Sequence, residues 1–537
     1  MKRRDFLKSM TAVAAGSALP AAPAVFSPAK AQARQETLLI VSESGPNNID
    51  IHGVGTNVPG YEVSWNCYDR LISHEMKTID GVPYYDRDKF KMELADDMNV
   101  GDMSATFKLK KKATFQDGTP VTAKDVKWSL DRAVTVGGFP TFQMKAGSLE
   151  KAEQFVVVDD NTIRVDFLRK DRLTIPDLAV IVPAIYNSEL VKKNATEKDP
   201  WGMEYTKQNT AGSGAYRVAK WTAGTEVVME RNDAWMGGPL PKIKRVIWRM
   251  VPSAGNRRAL LERGDADISY ELPNKDFVEL KDAGKLNITS VPFSNGCQYL
   301  GMNVTKPPFD NVKVRQAVAY AIPYQKIVDA VLFGLGKPLY GATSEPPLAW
   351  PVAHKFTTDI AKAKMLLAEA GYPEGFDTTL SFDLGFATVN EPLCVLVQES
   401  LAQIGIKCTI NKIPGATWRT ELNKKTLPLY TNVFSGWLDY PEYFFFWCYH
   451  GANSIFNTMS YQSKQMDAFI DGARAAAASG DTATYDKDVK GFLDTAFTDI
   501  PRIPLFQPYS NVAMQKNVSG YQYWFHRRLD YRSMVKA

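Results

Sequence analysis

Polar and apolar positions alternate in short runs through the first half of the chain. Thr106-Phe107-Lys108-Leu109-Lys110 follows the two-residue period of a half-buried strand, and Phe115-Gln116-Asp117-Gly118-Thr119-Pro120 breaks it with a turn. Thr122 then predicts a helix N-cap, with Asp125 three residues later close to a capping box. The run to Arg132 sets Val126, Leu130 and Ala133 on one face. Further strands are predicted over Gly214 to Trp221, Glu226 to Arg231 and Lys244 to Val251, where Val246, Trp248 and Met250 alternate with Ile247 and Arg249. This half reads as α+β with much antiparallel sheet.

After about Pro292 the rhythm changes to helices alternating with single strands. Helices are predicted over Asn311 to Ala321, from Pro323 through Leu332, along Ile360, Ala363, Leu367 and Ala370 to a stop at Gly371, and from Glu391 to Gly405. Strands are predicted at Thr378 to Asp383, Ile406 to Ile413 and Leu429 to Phe434. Such alternation implies an open, largely parallel sheet covered by helices. The last strand runs into Ser435-Gly436-Trp437-Leu438-Asp439-Tyr440-Pro441, and ligands of open α/β sheets sit beyond the carboxyl ends of strands. A plain turn with buried aromatics is the competing reading. Against it, eight of the thirteen residues from Trp437 to Tyr449 are aromatic, more than one strand face can hide. An ionised Asp439 among them is costly to bury without a cationic or hydrogen-bonding partner.

Composition bounds the class. A chain of 537 residues, 45% hydrophobic and 23% charged, is an ordinary globular protein too long for one core, so two or three domains are expected. No uninterrupted apolar stretch is long enough for a mature membrane span. Of the net charge of +5, the first 33 residues carry +4 (Lys2, Arg3, Arg4, Lys8 and Lys30 against Asp5), leaving about +1. A near-neutral mature chain has no basic stripe for nucleic acid and no polybasic run for an anionic lipid surface. That N-terminus reads as a targeting segment: a basic start, a small-residue apolar stretch from Thr11 to Phe26, and Ala31-Gln32-Ala33 as a cleavage site. Lys2-Arg3-Arg4-Asp5-Phe6-Leu7-Lys8 resembles a twin-arginine export signal. No cysteine follows Ala33 until Cys67, so no lipid anchor is expected; the mature protein reads as soluble in a Gram-negative periplasm.

Catalytic motifs are scarce. Gly334-Leu335-Gly336-Lys337 lacks phosphate-loop spacing, and Gly212-Ser213-Gly214 lacks the flanking glycines of a nucleophile elbow. The five histidines (His52, His74, His354, His450, His526) are scattered, and Cys448 with His450 is a poor start for a metal site. No metal or other cofactor is expected. Five cysteines without a C-x-x-C pair are no disulfide framework; helix rise puts Cys394 and Cys408 roughly 15 Å or more apart, too far to bridge. A carboxylate pair assembled from distant segments leaves an exported hydrolase as a remote alternative.

Several segments, in this order, resemble the extracytoplasmic solute-binding proteins of the peptide, opine and nickel class (family 5), the binding components of ABC importers. They are Ala105-Thr106-Phe107-Lys108-Leu109 through Phe115-Gln116-Asp117-Gly118-Thr119-Pro120-Val121-Thr122-Ala123-Lys124-Asp125-Val126, Gly212 to Val218, Leu300 to Asn303, Pro308 to Ala317, and Ala361 to Leu367. The resemblance implies an α/β two-lobe periplasmic binding protein, a hinged trap. Lobe one would span residues 34–293 and 504–537, with an inserted subdomain at about 75–205, and lobe two residues 294–503. It implies a monomer without catalysis that loads an ABC permease driven by a separate cytoplasmic ATPase. By the same resemblance Asp439 matches an aspartate that holds a ligand ammonium, with Trp418, Trp437 and Tyr440 as walls and Tyr61 and Tyr509 on the opposite lobe. The chain has one residue fewer between Gly-Trp and Asp than the peptide binders and lacks their second Asp-Pro. No arginine lies near Phe386, where dipeptide binders clamp a carboxylate, so a dipeptide is disfavoured. An oligopeptide or amine-bearing solute is expected, with an oligosaccharide or opine-type conjugate stacked on the aromatics as the alternative.

Overall fold

A computed structural model of the chain describes residues 34–453, 456–525 and 529–537. The export segment, residues 1–33, lies outside the described residues. One sheet of twelve strands runs through the molecule. Its order is Lys407–Ile413, Asp377–Asp383, Leu429–Ser435, Gly296–Met302, Arg502–Met514, Ile268–Ser269, Thr37–Ser42, Arg245–Met250, Glu226–Arg231 and Tyr216–Thr222. Asn287–Pro292 and Gly336–Pro338 also pair with Arg502–Met514.

That thirteen-residue strand is the spine. Its first half pairs with Gly296–Met302 through Arg502 to Phe506, and its second half with Asn287–Pro292 through Tyr509 to Met514. The chain thus passes between the two regions of the sheet twice, at 293–295 and again near Gln507 and Pro508. The two passages are tied together: Phe293 N donates to Pro508 O at 2.8 Å, and the Gln507 amide donates to Phe293 O.

The helix-rich half is less parallel than its rhythm implies. Asp377–Asp383 is parallel to both Lys407–Ile413 and Leu429–Ser435, but Gly296–Met302 is antiparallel to both of its neighbours. The strands that bring the chain in and take it out run in opposite directions, which helix–strand alternation cannot show. The segment from Pro323 is a short helix, Tyr324–Ile327, followed by a π-helical turn over Val328–Leu332.

In the other half, the strands Ala95–Val100, Ser104–Leu109, Phe155–Asp159 and Thr162–Asp166 form a separate antiparallel sheet, beside the hairpin Ile72–Ile79 and Val82–Met92. The helix Ala123–Thr135 packs its fully buried Val126, Leu130 and Ala133 inward. Asp125 serves two ends: Oδ2 accepts from Thr122 N at 3.0 Å and Oδ1 from Ser188 N at 3.1 Å. Asp117 accepts from Asn187 at 2.8 Å, while Gly118 takes the left-handed conformation (φ 86°) that the turn demands. Asp117, Gly118 and Asp125, within the longest segment that carries the resemblance, are therefore a turn and a cap of the scaffold.

Two expectations are corrected. The aromatic run is a helix, Pro441–Cys448, and a helix buried on all sides can hide what one strand face cannot. Phe445 stacks 4.2 Å from Phe492 and Phe444 lies 4.4 Å from Trp350, so most of these rings are core. Cys408 is near enough to add to the burial that raises the Cys394 thiol, because the helix Ala387–Ala402 folds back onto the strand Lys407–Ile413; rise along a helix is not distance across a turn. All five cysteines are nonetheless free and buried. Among the described residues no helix is long and apolar enough to cross a membrane.

Candidate functional site

The strand Leu429–Ser435 pairs with Gly296–Met302 along its whole length, to Ser435 opposite Gly296, and with Asp377–Asp383 at Leu429 and Tyr430, so its carboxyl end is held on one side where residues 436–440 leave it. Pro441 then starts the next helix at a position where its missing N–H costs nothing. Gly436 is required by a close approach: a Cβ there would lie 2.6 Å from the Asn295 amide and from the Tyr443 ring. Asn295, itself left-handed (φ 50°) in the passage between the two sheet regions, donates to Leu438 O and holds the loop.

From the other side come the helix Val58–Cys67, capped by Asn57, the helix Gly138–Ala146, and the hairpin. Trp437 meets Tyr61 edge-on at 5.2 Å and Phe139 at 4.6 Å, and Tyr61 and Phe139 stack at 6.2 Å. The Tyr440 ring lies 4.9 Å from the Arg87 guanidinium and 4.7 Å from that of Arg172, and its hydroxyl donates to Asp88 at 3.4 Å. Glu442, fully buried, pairs with Arg172 at 2.6 Å and accepts from Tyr485 at 2.9 Å. Arg474 reaches Asp171 at 2.7 Å.

Asp439 lies against the hairpin. Burial pushes its carboxyl above the usual carboxylate range, against the pull of the Arg87 guanidinium, the Tyr85 hydroxyl and Lys77. Arg87 donates to the Asp439 backbone carbonyl; burial opposes its charge, yet Asp439 and Asp88 hold it more firmly protonated than usual. Tyr85 in turn shares a 2.7 Å hydrogen bond with Ser294, beside Asn295.

Of the six residues singled out in the sequence, Asp439, Trp437, Tyr440 and Tyr61 come together here. Trp418 is tied to the sheet through Asn432 (3.1 Å), while its neighbour Arg419 meets the Tyr61 hydroxyl and lowers a phenol pKa that burial raises. Tyr509 is half-buried on the crossing strand opposite Pro292, and its side chain makes no hydrogen bond or ring contact among the described residues. Tyr85, Arg87, Asp88, Phe139, Gln143 and Arg172 carry no motif and were missed. Two surface depressions among the described residues, one beside Pro346 to Leu348 and one beside Arg249 and Lys536, contain none of these side chains. His450 faces Asp471 at 3.4 Å and Asp467 at 3.9 Å; among the described residues no cluster of three or more His, Cys, Asp or Glu could hold a metal.

A buried polar relay also joins the loop at residues 436–440 to the helix Gly138–Ala146. Tyr443 OH accepts from Trp437 N at 3.3 Å and donates to Gln143 at 2.7 Å, and Gln143 donates to Asp177 at 2.6 Å. Burial raises the Asp177 carboxyl to about 8, although Gln143 and Gly147 N–H groups favour the ionised form. The folded protein therefore keeps a proton that the unfolded chain loses near pH 4, so this contribution to stability is full below about pH 4 and is lost as the pH rises toward 8. Thermal denaturation from pH 5 to 8.5 is expected to show a downward slope that Asp177→Asn flattens, from a lower starting point because the new amide has one acceptor oxygen for the two N–H groups of Gln143 and Gly147. A wild-type slope that survives the substitution would assign the proton elsewhere.

The model of the bacterial extracellular solute-binding proteins, family 5 (middle), matches residues 89–456. A probable D,D-dipeptide-binding periplasmic protein of Escherichia coli K12, DdpA, is 28% identical over 502 residues, covering 92% of this chain and 93% of that protein. The glutathione-binding protein GsiB of Escherichia coli O1:K1 is 30% identical over 450 residues, 81% of this chain and 83% of the relative. Among solved structures, the periplasmic binding protein DppA of Helicobacter pylori, in complex with the peptide STSA, superposes with a TM-score of 0.79 at 20% identity, covering 93% of this chain and 98% of that one.

Proposed function

The chain belongs to the bacterial extracellular solute-binding proteins of family 5, and on that footing we propose that it holds an amine-bearing, peptide-like solute between its two lobes with Asp439 as the anionic anchor. One observation supports this above the rest. Asp439 stands at the carboxyl end of a central strand, in a loop where aromatic and charged side chains from distant parts of the chain converge. The relatives named for D,D-dipeptides and glutathione are consistent with a short, amine-bearing ligand.

In this reading lobe one comprises residues 34–293 and 504–537, with an inserted subdomain near 75–205, and lobe two comprises 294–503. The shared strand Arg502–Met514 and the passage at 293–295 act as the hinge. Contacts made by both lobes exist only when the trap is closed, so a ligand shifts the population toward that form. A permease can then distinguish loaded from empty protein, a separate ATPase supplying the energy. Export to a Gram-negative periplasm by the N-terminal segment, and binding without turnover, belong to the same proposal.

Calorimetry with a short peptide should give saturable binding that Asp439→Asn abolishes without lowering the melting temperature. Because the carboxyl is held above its ordinary value, affinity for an ammonium group should fall on acidification at a higher pH than for an exposed aspartate. Undiminished binding by the variant removes the anchor. Binding of a neutral sugar with little pH dependence would assign the site to Trp437, Tyr61 and Phe139 instead.

A further inference from the structure

Arg87 and Asp439 approach the cleft from opposite sides, 352 residues apart in sequence. The guanidinium is held by the Asp439 carbonyl, by Asp88 at 3.5 Å and over the Tyr440 ring, while the Asp439 carboxylate forms no ion pair among the described residues. The two charges are thus adjacent and separately anchored. The other nearby cations are engaged: Arg172 with Glu442 at 2.6 Å, and Lys77 with Asp86 at 3.5 Å. Arg87 keeps unused N–H donors on a side chain that is 42% exposed.

This arrangement constrains what can bind. An ammonium seated on Asp439 lies beside a fixed guanidinium and is repelled by it, unless the ligand brings an anion to the same place. The amino terminus of an ordinary peptide cannot do so, because the carbon bearing its ammonium is followed by a neutral amide. A free α-amino acid headgroup carries a carboxylate on that same carbon, and a guanidinium fork matches a carboxylate in geometry.

We propose that Arg87 and Asp439 together recognise a free α-amino acid headgroup, as found at the γ-glutamyl end of a γ-linked peptide, an inference that rests on the anchor role of Asp439 proposed above. Arg87 is then the specificity-determining residue. It discriminates ligands by which carboxyl lies beside the ammonium, a distinction that net charge does not reveal.

The isomers γ-Glu-Ala-Gly and α-Glu-Ala-Gly contain the same atoms and the same ionisable groups, and differ in that position alone. Calorimetry should show the γ isomer binding about tenfold or more tightly to the wild-type protein, as expected for one additional charge-assisted contact. Arg87→Met should bring the ratio close to one, and Arg87→Lys, which keeps the charge and loses the fork, should fall between. Melting curves confirm that the variants fold. Equal or reversed preference in the wild type, or a preference that survives Arg87→Met, overturns the proposal. If the α isomer binds in an Asp439-dependent manner without discrimination, the anchor stands and this inference falls; if neither isomer binds the wild type, both fall.

Discussion

Glu442→Gln is expected to open the ligand-free protein and to weaken ligand binding about tenfold or more. Glu442 lies in the first turn of the helix Pro441–Cys448, where a negative charge is favoured, and it is fully buried. Its partners come from distant parts of the chain: Arg172 at 2.6 Å, 270 residues earlier, and Tyr485 at 2.9 Å, 43 residues later. Arg172 also donates to the Tyr485 hydroxyl at 2.7 Å, so the three groups form a closed triangle. On the lobe division proposed above, the Arg172 contact exists only while the lobes are together, which makes it a latch on closure as well as a source of stability. Glutamine preserves size and one hydrogen bond but loses the charge, and a charge-assisted contact of this kind contributes about 1.5–3 kcal/mol. A shift of that size moves the open-to-closed ratio by roughly ten- to a hundredfold, and apparent affinity falls with the competent fraction. Small-angle scattering of the free protein should show an increased radius of gyration, and calorimetry the reduced affinity. A fall in melting temperature with neither change would reduce Glu442 to a structural role within one lobe. On the same lobe division Arg474 with Asp171 at 2.7 Å is a second crossing pair, and it is expected to keep the variant from opening completely.

The regular elements were legible where local physics decides them. Alternation located the strand Glu226–Arg231 to the residue, and Thr122 with Asp125 marked the start of its helix. The helix predicted to begin at Glu391 begins at Ala387 and takes Pro392 into its interior. Half of the candidate site was also legible: the end of the strand Leu429–Ser435 pointed to Trp437, Asp439 and Tyr440. The other half was not, because its signal is tertiary. Arg87, Gln143 and Arg172 sit in segments without a motif and acquire meaning only when the fold brings them against partners 352, 300 and 270 residues away. The family segments were no guide to the ligand for a related reason: Asp117, Gly118 and Asp125 build a turn and a helix cap. Selection for a fold leaves patterns in contiguous residues, whereas a cleft between lobes is written across the chain.

Asp50→Ala is expected to cost about 3–5 kcal/mol of stability, the usual consequence of stripping one partner from a buried ion pair. Asp50 and Arg132 are both inaccessible to solvent and pair at 2.7 Å. Every lone pair of the carboxylate is used: Oδ1 accepts from Tyr186 at 2.6 Å and from His52 N at 2.8 Å, and Oδ2 from Arg132 and the Thr206 hydroxyl. Arg132 in turn donates to Trp201 O at 3.1 Å and to His52 Nδ1 at 3.2 Å. Burial and the neighbouring guanidinium hold His52 near pKa 4, so at neutral pH its Nε2 carries the proton and donates to Val182 O at 2.7 Å. Four segments that are remote in sequence, around residues 50–52, 132, 182–186 and 201–206, are thereby fastened around one charge pair, a few residues before the helix Val58–Cys67 that carries Tyr61. Removal of Asp50 leaves the guanidinium in a solvent-free site with no counter-charge. Urea denaturation should therefore show a large fall in midpoint for Asp50→Ala, a smaller one for Asp50→Asn, and partial recovery in Asp50→Ala combined with Arg132→Met, because the second substitution removes the stranded charge. Additive losses in the double variant would mean that packing around the two side chains, and not their charges, holds these segments together.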